Sequence, residues 1–485
     1  MFKILDRFFF YILILIMAVE ALSFFAFFSA GWEKPVFSLL VLIIIILTAY
    51  KLEYGIYVLL AELFIGGLGY LFFWPGANHK VSIRLIIFLI IFLLWLVKII
   101  REKNFYWLKD KFVVLTAIFL LLMAGAIWRA NSLGRPVGDI FSDANAYLYW
   151  GLIGVFVTAK LDLKKCLQIL LAASTALSVK TILILYLFSH QLAKVNDLFF
   201  YRWIRDTRVG EISLISDPLF RIYFQSHFYN LIALAVIIGI VFLIGRKDLS
   251  AKAFWGLKII FWLDFLTLFI SQTRSFWLVG LCAIGLFFLY LIYLRVGWKK
   301  IIMYLLIWPI MIISCHLAVN LLIGDWQKNI FYERLGKADS QAGITSRSAQ
   351  LAPLIAEIKK TPLWGQGFGK NLTYQSSDPR IRTAANPQGW YTTYSFELGY
   401  LDIILKIGLI GLLVYASLIF LIGERLWQQL ANDPTKTGLF FGLITLVVIH
   451  IFMPYLNHPL GIGYLLLLIG LLHSSSYCLL PKHND

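Results

Sequence analysis

The sequence predicts an all-α, polytopic integral membrane protein of about fourteen transmembrane helices, with a large helical loop standing outside the bilayer. Three observations predict it. Of 485 residues, 60% are hydrophobic and only 14% are charged, where soluble chains carry about 25% charged residues. Apolar runs of about 20 residues, long enough to cross the hydrocarbon, recur from end to end. The mean hydropathy is +0.82. The four cysteines, Cys166, Cys282, Cys315 and Cys478, are scattered with no CxxC pair, which points to neither a disulfide framework nor a thiolate metal site.

The first run, Phe8 to Phe28, is too long for a signal-peptide core and lacks a small-x-small cleavage site, so it is expected to stay as a span. Further spans are expected near 36–50, 54–74, 84–100, 113–128, 143–159 and 167–189, then near 226–245, 254–271, 275–294 and 301–322. The last three fall near 398–421, 438–455 and 458–473. Orientation comes from the connections. Lys98, Arg101, Lys103, Lys109 and Lys111 share one of them, and Lys160, Lys164 and Lys165 a second. Arg246, Lys247 and Lys252 fall in a third, Arg295, Lys299 and Lys300 in a fourth. The positive-inside rule puts all four, with both termini, in the cytoplasm. The chain then divides into a transmembrane bundle (1–323, with an outer loop at 191–225), an outer loop domain (324–397), and C-terminal helices with a short cytoplasmic tail (398–485).

The outer loops are basic too. One holds Lys194, Arg202, Arg205, Arg208 and Arg221, the other Lys328, Arg334, Arg347, Arg380 and Arg382. Long loops escape the orientation rule, so topology does not require this charge. Contact with anionic head groups explains it, and so does a pocket for an anionic substrate.

One polar stretch stands out, "SRSAQLAPLIAEIKKTPLWGQGFG" (Ser346 to Gly369). Ser346 or Ser348 can cap a helix in which Leu351, Leu354, Ile355 and Ile358 form one apolar stripe. Pro353 is expected near the first turn. Lys359 and Lys360 suit the helix C-terminus, and Thr361-Pro362 stops it. The glycines that follow permit close backbone approach. With no strand before them and no helix opening after, they are not a phosphate-binding fingerprint.

These residues resemble a motif of the O-antigen ligase and O-antigen polymerase superfamily, whose large periplasmic loop carries an Arg, an amphipathic helix and a Pro-Leu-x-Gly-x-Gly turn. Here the pattern is Arg347, Ile355, Pro362, Leu363, Gly365, Gly367 and Gly369. "YSFELGYLDIILKIGLIGLL", with Leu401, Gly408 and Gly411, is similar to the family's junction of loop and helix. "SQTRSFWLVG" is similar to its short Arg-containing loop, and "FRIYFQSHFYNLIAL" to its Arg-containing entry to a mid-chain helix. The order matches, from Asp143 onward. The resemblance implies a GT-C-like glycosyltransferase of the bacterial inner membrane. It would move a glycan whole from an undecaprenyl-pyrophosphate carrier to a sugar hydroxyl on the periplasmic side, using neither metal nor cofactor. The acceptor would be lipid A–core in a ligase or a carrier-linked glycan in a polymerase. Membrane lipids are the other expected partners, and nucleic acid is not among them.

That chemistry needs cations for the departing pyrophosphate and a base for the attacking hydroxyl. Arg274, in a loop too short to leave the membrane face, leads the cations, followed by Arg347 and Arg221. An interfacial arginine snorkelling to lipid phosphate is the alternative for each. Counting back from Gly408 puts Glu397 where the family has a His. Glu397 is therefore the candidate base, a helix-dipole acid being its other reading. His227 and Asp143 are expected to face the arginines and the substrate, and Trp390 and Tyr391 to offer rings for sugar stacking. No histidines stand at metal-ligand spacing, so no metal is expected. Glu20, Glu62, Lys180 and Asp264 lie in or beside apolar runs and need partners, and Asp402 and Lys406 can pair four apart on one helix. A lipid-linked oligosaccharide flippase, a protein O-oligosaccharyltransferase and an inactive envelope scaffold are the competing functions.

Overall fold

The computed structural model describes residues 4–29, 31–76, 80–192, 199–244, 249–336, 342–376, 378, 381–430 and 433–474. Lys194, Arg246, Lys247, Arg380 and Cys478 lie outside the described residues.

The chain opens with three helices, α1 (Arg7–Phe28), α2 (Glu33–Tyr50) and α3 (Leu52–Ile65). The third ends well before the expected residue 74. Gly67 and Gly69 there take positive φ, 56° and 91°, which ordinary residues adopt at a cost. A short hairpin of β1 (Phe73–Pro75) and β2 (Lys80–Ser82) fills the remainder and leads into α4 (Ile83–Glu102) and α5 (Lys111–Ser132). The next span is interrupted: α6 (Val137–Ala144), a 3-10 stretch and α7 (Ile153–Thr158) cross in series. α8 (Leu163–Ser189) follows, then a short amphipathic helix, α9 (Phe199–Asp206).

A second hairpin, β3 (Gly210–Ser216) and β4 (Leu219–Phe224), precedes α10 (His227–Ile238), α11 (Ala251–Ser271), α12 (Arg274–Tyr293) and α13 (Trp298–Ile323). The large loop holds α14 (Ala342–Lys360) and an antiparallel pair, β5 (Leu372–Gln375) and β6 (Trp390–Thr393). α15 (Gly399–Trp427), α16 (Pro434–Ile449) and α17 (Pro459–His473) complete the order. Among the described residues, ten segments are long and apolar enough to cross a membrane, and α10, α16 and α17 are shorter apolar helices. The fourteen expected spans thus resolve into ten of full length and several short helices. Short helices reach across only with help from their neighbours, because each residue adds about 1.5 Å of rise.

The middle of the bundle is set by burial. In α8, 72% of the most apolar stretch is buried inside the protein, against 11% in α13 and 17% in α1. α8 packs on α1, α3 and α11, and α10 on α11 and α16, while α13 and α1 turn most of their side chains outward. Three of the acids described inside this bundle, Glu62, Glu20 and Asp264, meet a cation or neutral donors, as their desolvation requires. Arg84 grips Glu62 through two hydrogen bonds, 2.7 and 3.0 Å. Lys180 meets Glu20 at 2.6 Å, and the Asp264 carboxylate accepts from Ser178 and Asn230.

Candidate functional site

The site assembles around the short connection between α11 and α12. α11 ends at Ser271, and Gln272 turns the chain with a left-handed φ of 46°. Thr273 and Arg274 then open α12. Two arginines from elsewhere brace this turn. Arg221, on β4, donates Nε to the Ser271 carbonyl at 3.1 Å and lies over the Tyr223 ring at 4.9 Å. Arg334, in the segment after α13, donates Nε to the Gln272 carbonyl at 2.8 Å. Each of the two guanidinium groups is thereby anchored to backbone beside Arg274, whose own side chain is within electrostatic reach of Arg221 and Arg347.

The charge is concentrated. Burial, with Arg221 and Arg274 alongside, pulls the Arg334 guanidinium down to about 10, far below where an exposed arginine titrates. Two carboxylates stand nearby. Glu211 lies 3.9 Å from Arg221 across the hairpin, and Glu397 accepts from Arg347 Nε at 2.5 Å. Tyr223 is within reach of both Arg221 and Glu397, which ties the α14 side of the cluster to the hairpin side. Four arginines thus come together from four separate segments of chain.

Arg347 and Glu397 are placed by the large loop. α14 begins at Ala342, so Ser346 and Ser348 lie inside the helix and cap nothing. Ser346 meets Ser376, and Ser348 donates back to the Thr345 carbonyl. Pro353 likewise sits mid-helix. Of the apolar stripe, Leu354 is fully buried against Leu372, Phe396 and Leu405, with Ile358 beside them, whereas Leu351 and Ile355 stay substantially exposed. Gln350 fixes the far end by donating to the Tyr374 hydroxyl at 2.9 Å, and its carbonyl oxygen accepts from the Glu397 amide at 3.4 Å.

The glycine turn has a definite partner. α15 breaks at Gly408 (φ 75°, ψ 179°), and the turn threads into the break. The Gln366 and Gly367 amides donate to the Leu405 and Lys406 carbonyls, at 2.5 and 2.9 Å. The Leu409 and Ile410 amides donate to the Pro362 and Leu363 carbonyls, at 2.9 and 3.3 Å. Backbone groups that a helix break would leave unpaired are satisfied by another segment. A Cβ on Gly408 would stand 2.0 Å from the Leu363 oxygen, and one on Gly365 2.6 Å from the Lys406 oxygen. This is a main-chain lock rather than a phosphate cradle.

Several expected site residues are placed otherwise. Asp143 does not turn to the arginine cluster. It pairs with Lys406 and accepts from the Gly369 amide at 2.8 Å, while Lys406 also holds Asp402 at 2.6 Å. Asp143 therefore supports the glycine turn, because the buried Lys406 demands countercharge there. His227 is fully buried. Its Nδ1 accepts from the Phe224 amide at 3.3 Å and its Nε2 lies 3.0 Å from the Thr181 hydroxyl, so it pins the hairpin to α8. Trp390 and Tyr391 lie on β6 and are 53% and 39% exposed, open to a ligand. Among the other basic residues, Lys328 holds the Asp217 carbonyl and Arg382 the Pro387 carbonyl, and Arg205 pairs with Asp206. Arg334 is the functional candidate that sequence reasoning passed over as one charge among many. The hairpin bearing Arg221 was legible only in the alternation of "EISLISDPLFRIYF" about its Asp-Pro turn.

A family model described as O-antigen ligase matches residues 259–416. This segment, under half of the chain, is similar to the O-antigen ligase family and supports glycan transfer of that general type by a multi-pass membrane protein. The matched segment contains Arg274, Arg334, Arg347, Glu397, the glycine turn and Gly408, and it leaves out Arg221, His227 and Asp143. No curated protein matches the chain.

Proposed function

We propose that the protein transfers a glycan en bloc from an undecaprenyl-pyrophosphate carrier to a sugar hydroxyl at the outer face of the bacterial inner membrane, without a metal. The carrying observation is that Arg221 hydrogen-bonds the turn between α11 and α12 where Arg274 opens α12, within electrostatic reach of Arg221 and Arg347, in or beside the segment similar to the ligase family. The carrier diphosphate lies against these guanidinium groups, which bind phosphate oxygens in pairs and keep their protons.

The acceptor oxygen attacks the anomeric carbon as the bond from that carbon to the diphosphate oxygen breaks. The hydroxyl proton passes to Glu397, and the bond electrons leave with the lipid diphosphate. Negative charge grows on the departing oxygen, where preformed cations stabilise the transition state more than the ground state. Arg347 orients the Glu397 carboxylate through their 2.5 Å contact. Trp390 and Tyr391 stand at the loop rim as stacking surfaces for the glycan. The acceptor is lipid A–core in a ligase or a second carrier-linked glycan in a polymerase.

Purified protein in proteoliposomes, given a lipid-diphosphate glycan and each acceptor class in turn, tests the reading. Transfer is expected with a saccharide acceptor, and Arg274→Gln is expected to lower turnover by about 100-fold or more while the protein still elutes as the folded species. Transfer to protein instead would make it a protein glycosylase. Transbilayer movement of the donor without any new glycosidic bond would overturn the proposal in favour of a flippase.

A further inference from the structure

We infer that the end of the bundle remote from the loop domain carries a binding site for the phosphate of an anionic phospholipid, in the cavity between α5, α15 and α17. The inference is independent of the proposed transfer reaction.

α5 packs on α15, and α15 on α17. α15 starts at the loop domain, and its 29 residues carry its other end to the far side of the bundle. There the three helix ends leave a cavity of about 360 Å³, within the roughly 300–1,000 Å³ of small-molecule sites. Four of its lining groups are basic: Lys109 and Lys111 at the start of α5, Arg425 near the end of α15 and His473 at the end of α17. They come from three helix ends, so the charge of one lysine-rich connection does not account for them.

The acid in the lining, Asp110, is already committed. It caps α5 by accepting from the Phe112 amide at 2.8 Å, and it receives His473 Nε2 at 2.9 Å. His473 Nδ1 lies 2.9 Å from the Ile469 carbonyl oxygen. Both ring nitrogens thus face oxygens that only accept, so both donate and the ring is an imidazolium. Asp110 and His473 cancel, which leaves Lys109, Lys111 and Arg425. Glu424, beside Arg425, accepts from Gln428 at 3.3 Å, and among the described residues no carboxylate pairs with any of the three. Cations held in one recess repel each other, and a phosphate relieves that repulsion while meeting both the lysine charges and the arginine fork. The same cavity has an apolar wall in Leu421, one turn before Arg425, and Leu472, next to His473. Trp427, two residues after Arg425, and Tyr106, three before Lys109, stand exposed, as rings do at a membrane interface. A charged mouth beside an apolar wall at head-group depth fits a phospholipid better than a dissolved anion.

Thermal melting of the full-length protein in a neutral detergent tests the site, with dioleoyl phosphatidylglycerol, dioleoyl phosphatidylcholine or inorganic phosphate added. Phosphatidylglycerol is expected to raise the melting temperature saturably, and phosphatidylcholine at the same mole fraction is not. Lys111 and Arg425 are exposed, so their variants are expected to fold. Lys111→Gln with Arg425→Gln is expected to weaken the apparent affinity for phosphatidylglycerol about tenfold or more, and Arg425→Gln alone by an intermediate factor. Lys111→Arg with Arg425→Lys is expected to keep it within about threefold. Lys98→Gln with Lys103→Gln removes the same charge from the end of α4, outside the cavity, and is expected to leave the affinity unchanged. Equal losses in the two neutralised pairs would mean a diffuse charged rim and would overturn the site. A melting temperature indifferent to phosphatidylglycerol would overturn it as well. A shift reproduced by millimolar inorganic phosphate would overturn the lipid as ligand, since the cavity would then serve a dissolved anion.

Discussion

At the scale of single residues, the pairing of Arg347 with Glu397 is the most telling feature. The resemblance to the ligase and polymerase family puts a His at position 397, where this chain has a carboxylate. A carboxylate beside a guanidinium is both a base and a countercharge, so it partly cancels a cation that the leaving diphosphate would otherwise use. Glu397→Gln keeps the shape and the contact to Arg347 and removes the proton acceptor. Turnover is expected to fall by about 100-fold or more, with donor KM little changed or lower, because an unmatched Arg347 binds the diphosphate better. A rise in donor KM at unchanged turnover would make Glu397 a binding residue and leave the base elsewhere. His227, His450 and His458 are poor substitutes. His227 and His450 are fully buried, and the Nδ1 atoms of His450 and His458 accept from the Leu456 and Leu460 amides.

At the scale of elements, the broken helix and its inserted turn decide where these residues stand. The turn ties α14 to α15. Arg347 rides on one, and Glu397 lies just before the other, so their separation is set by the lock. Arg135 reinforces it by donating Nη1 to the Gly367 and Phe368 carbonyls, both at 2.8 Å. Gly408→Ala places a methyl group 2.0 Å from a carbonyl oxygen at a backbone angle that suits glycine. It is expected to cost more than about 2 kcal/mol, read as a lower melting temperature in detergent. Lys406→Met leaves Asp143 and Asp402 buried without their cation, and is expected to destabilise by about 3–5 kcal/mol. Changing both acids to asparagine alongside it should recover part of that loss. If Lys406→Met melts as wild type, the network is dispensable and something else holds the turn. The glycines were legible as close approach, because only Gly permits it. Their partner was not, since nothing local in "WGQGFG" says that a helix 40 residues on will open to receive it.

At the scale of the whole molecule, the apolar periods located nearly every membrane helix, since burial in lipid leaves a one-dimensional mark on the sequence. They overshot at α3, where glycines stop the helix, and they smoothed over the interrupted span at 137–158, because hydropathy measures polarity and not backbone geometry. The arginine cluster was legible as an excess of charge that topology did not need. Which arginines gather depends on the hairpin and on segments far apart in the chain, so Arg334 could not be told from Arg382 by sequence. One consequence spans the molecule. The arginine turn lies at the end of α11 and the beginning of α12, and the loop domain sits on that same side. The lysine-rich connection between α4 and α5 lies at the opposite end of α5, 22 residues long, or about 33 Å of helix. Positive residues collect in short cytoplasmic connections, so the cluster is expected outside. In a cysteine-free background, Ala384→Cys in the loop domain is expected to react with a membrane-impermeant maleimide in intact spheroplasts. Asn104→Cys, in the α4–α5 connection, should react only after permeabilisation. The reverse pattern would place the arginine cluster in the cytoplasm, where a carrier displayed on the outer leaflet could not reach it, and would exclude the proposed reaction whatever the arginines bind.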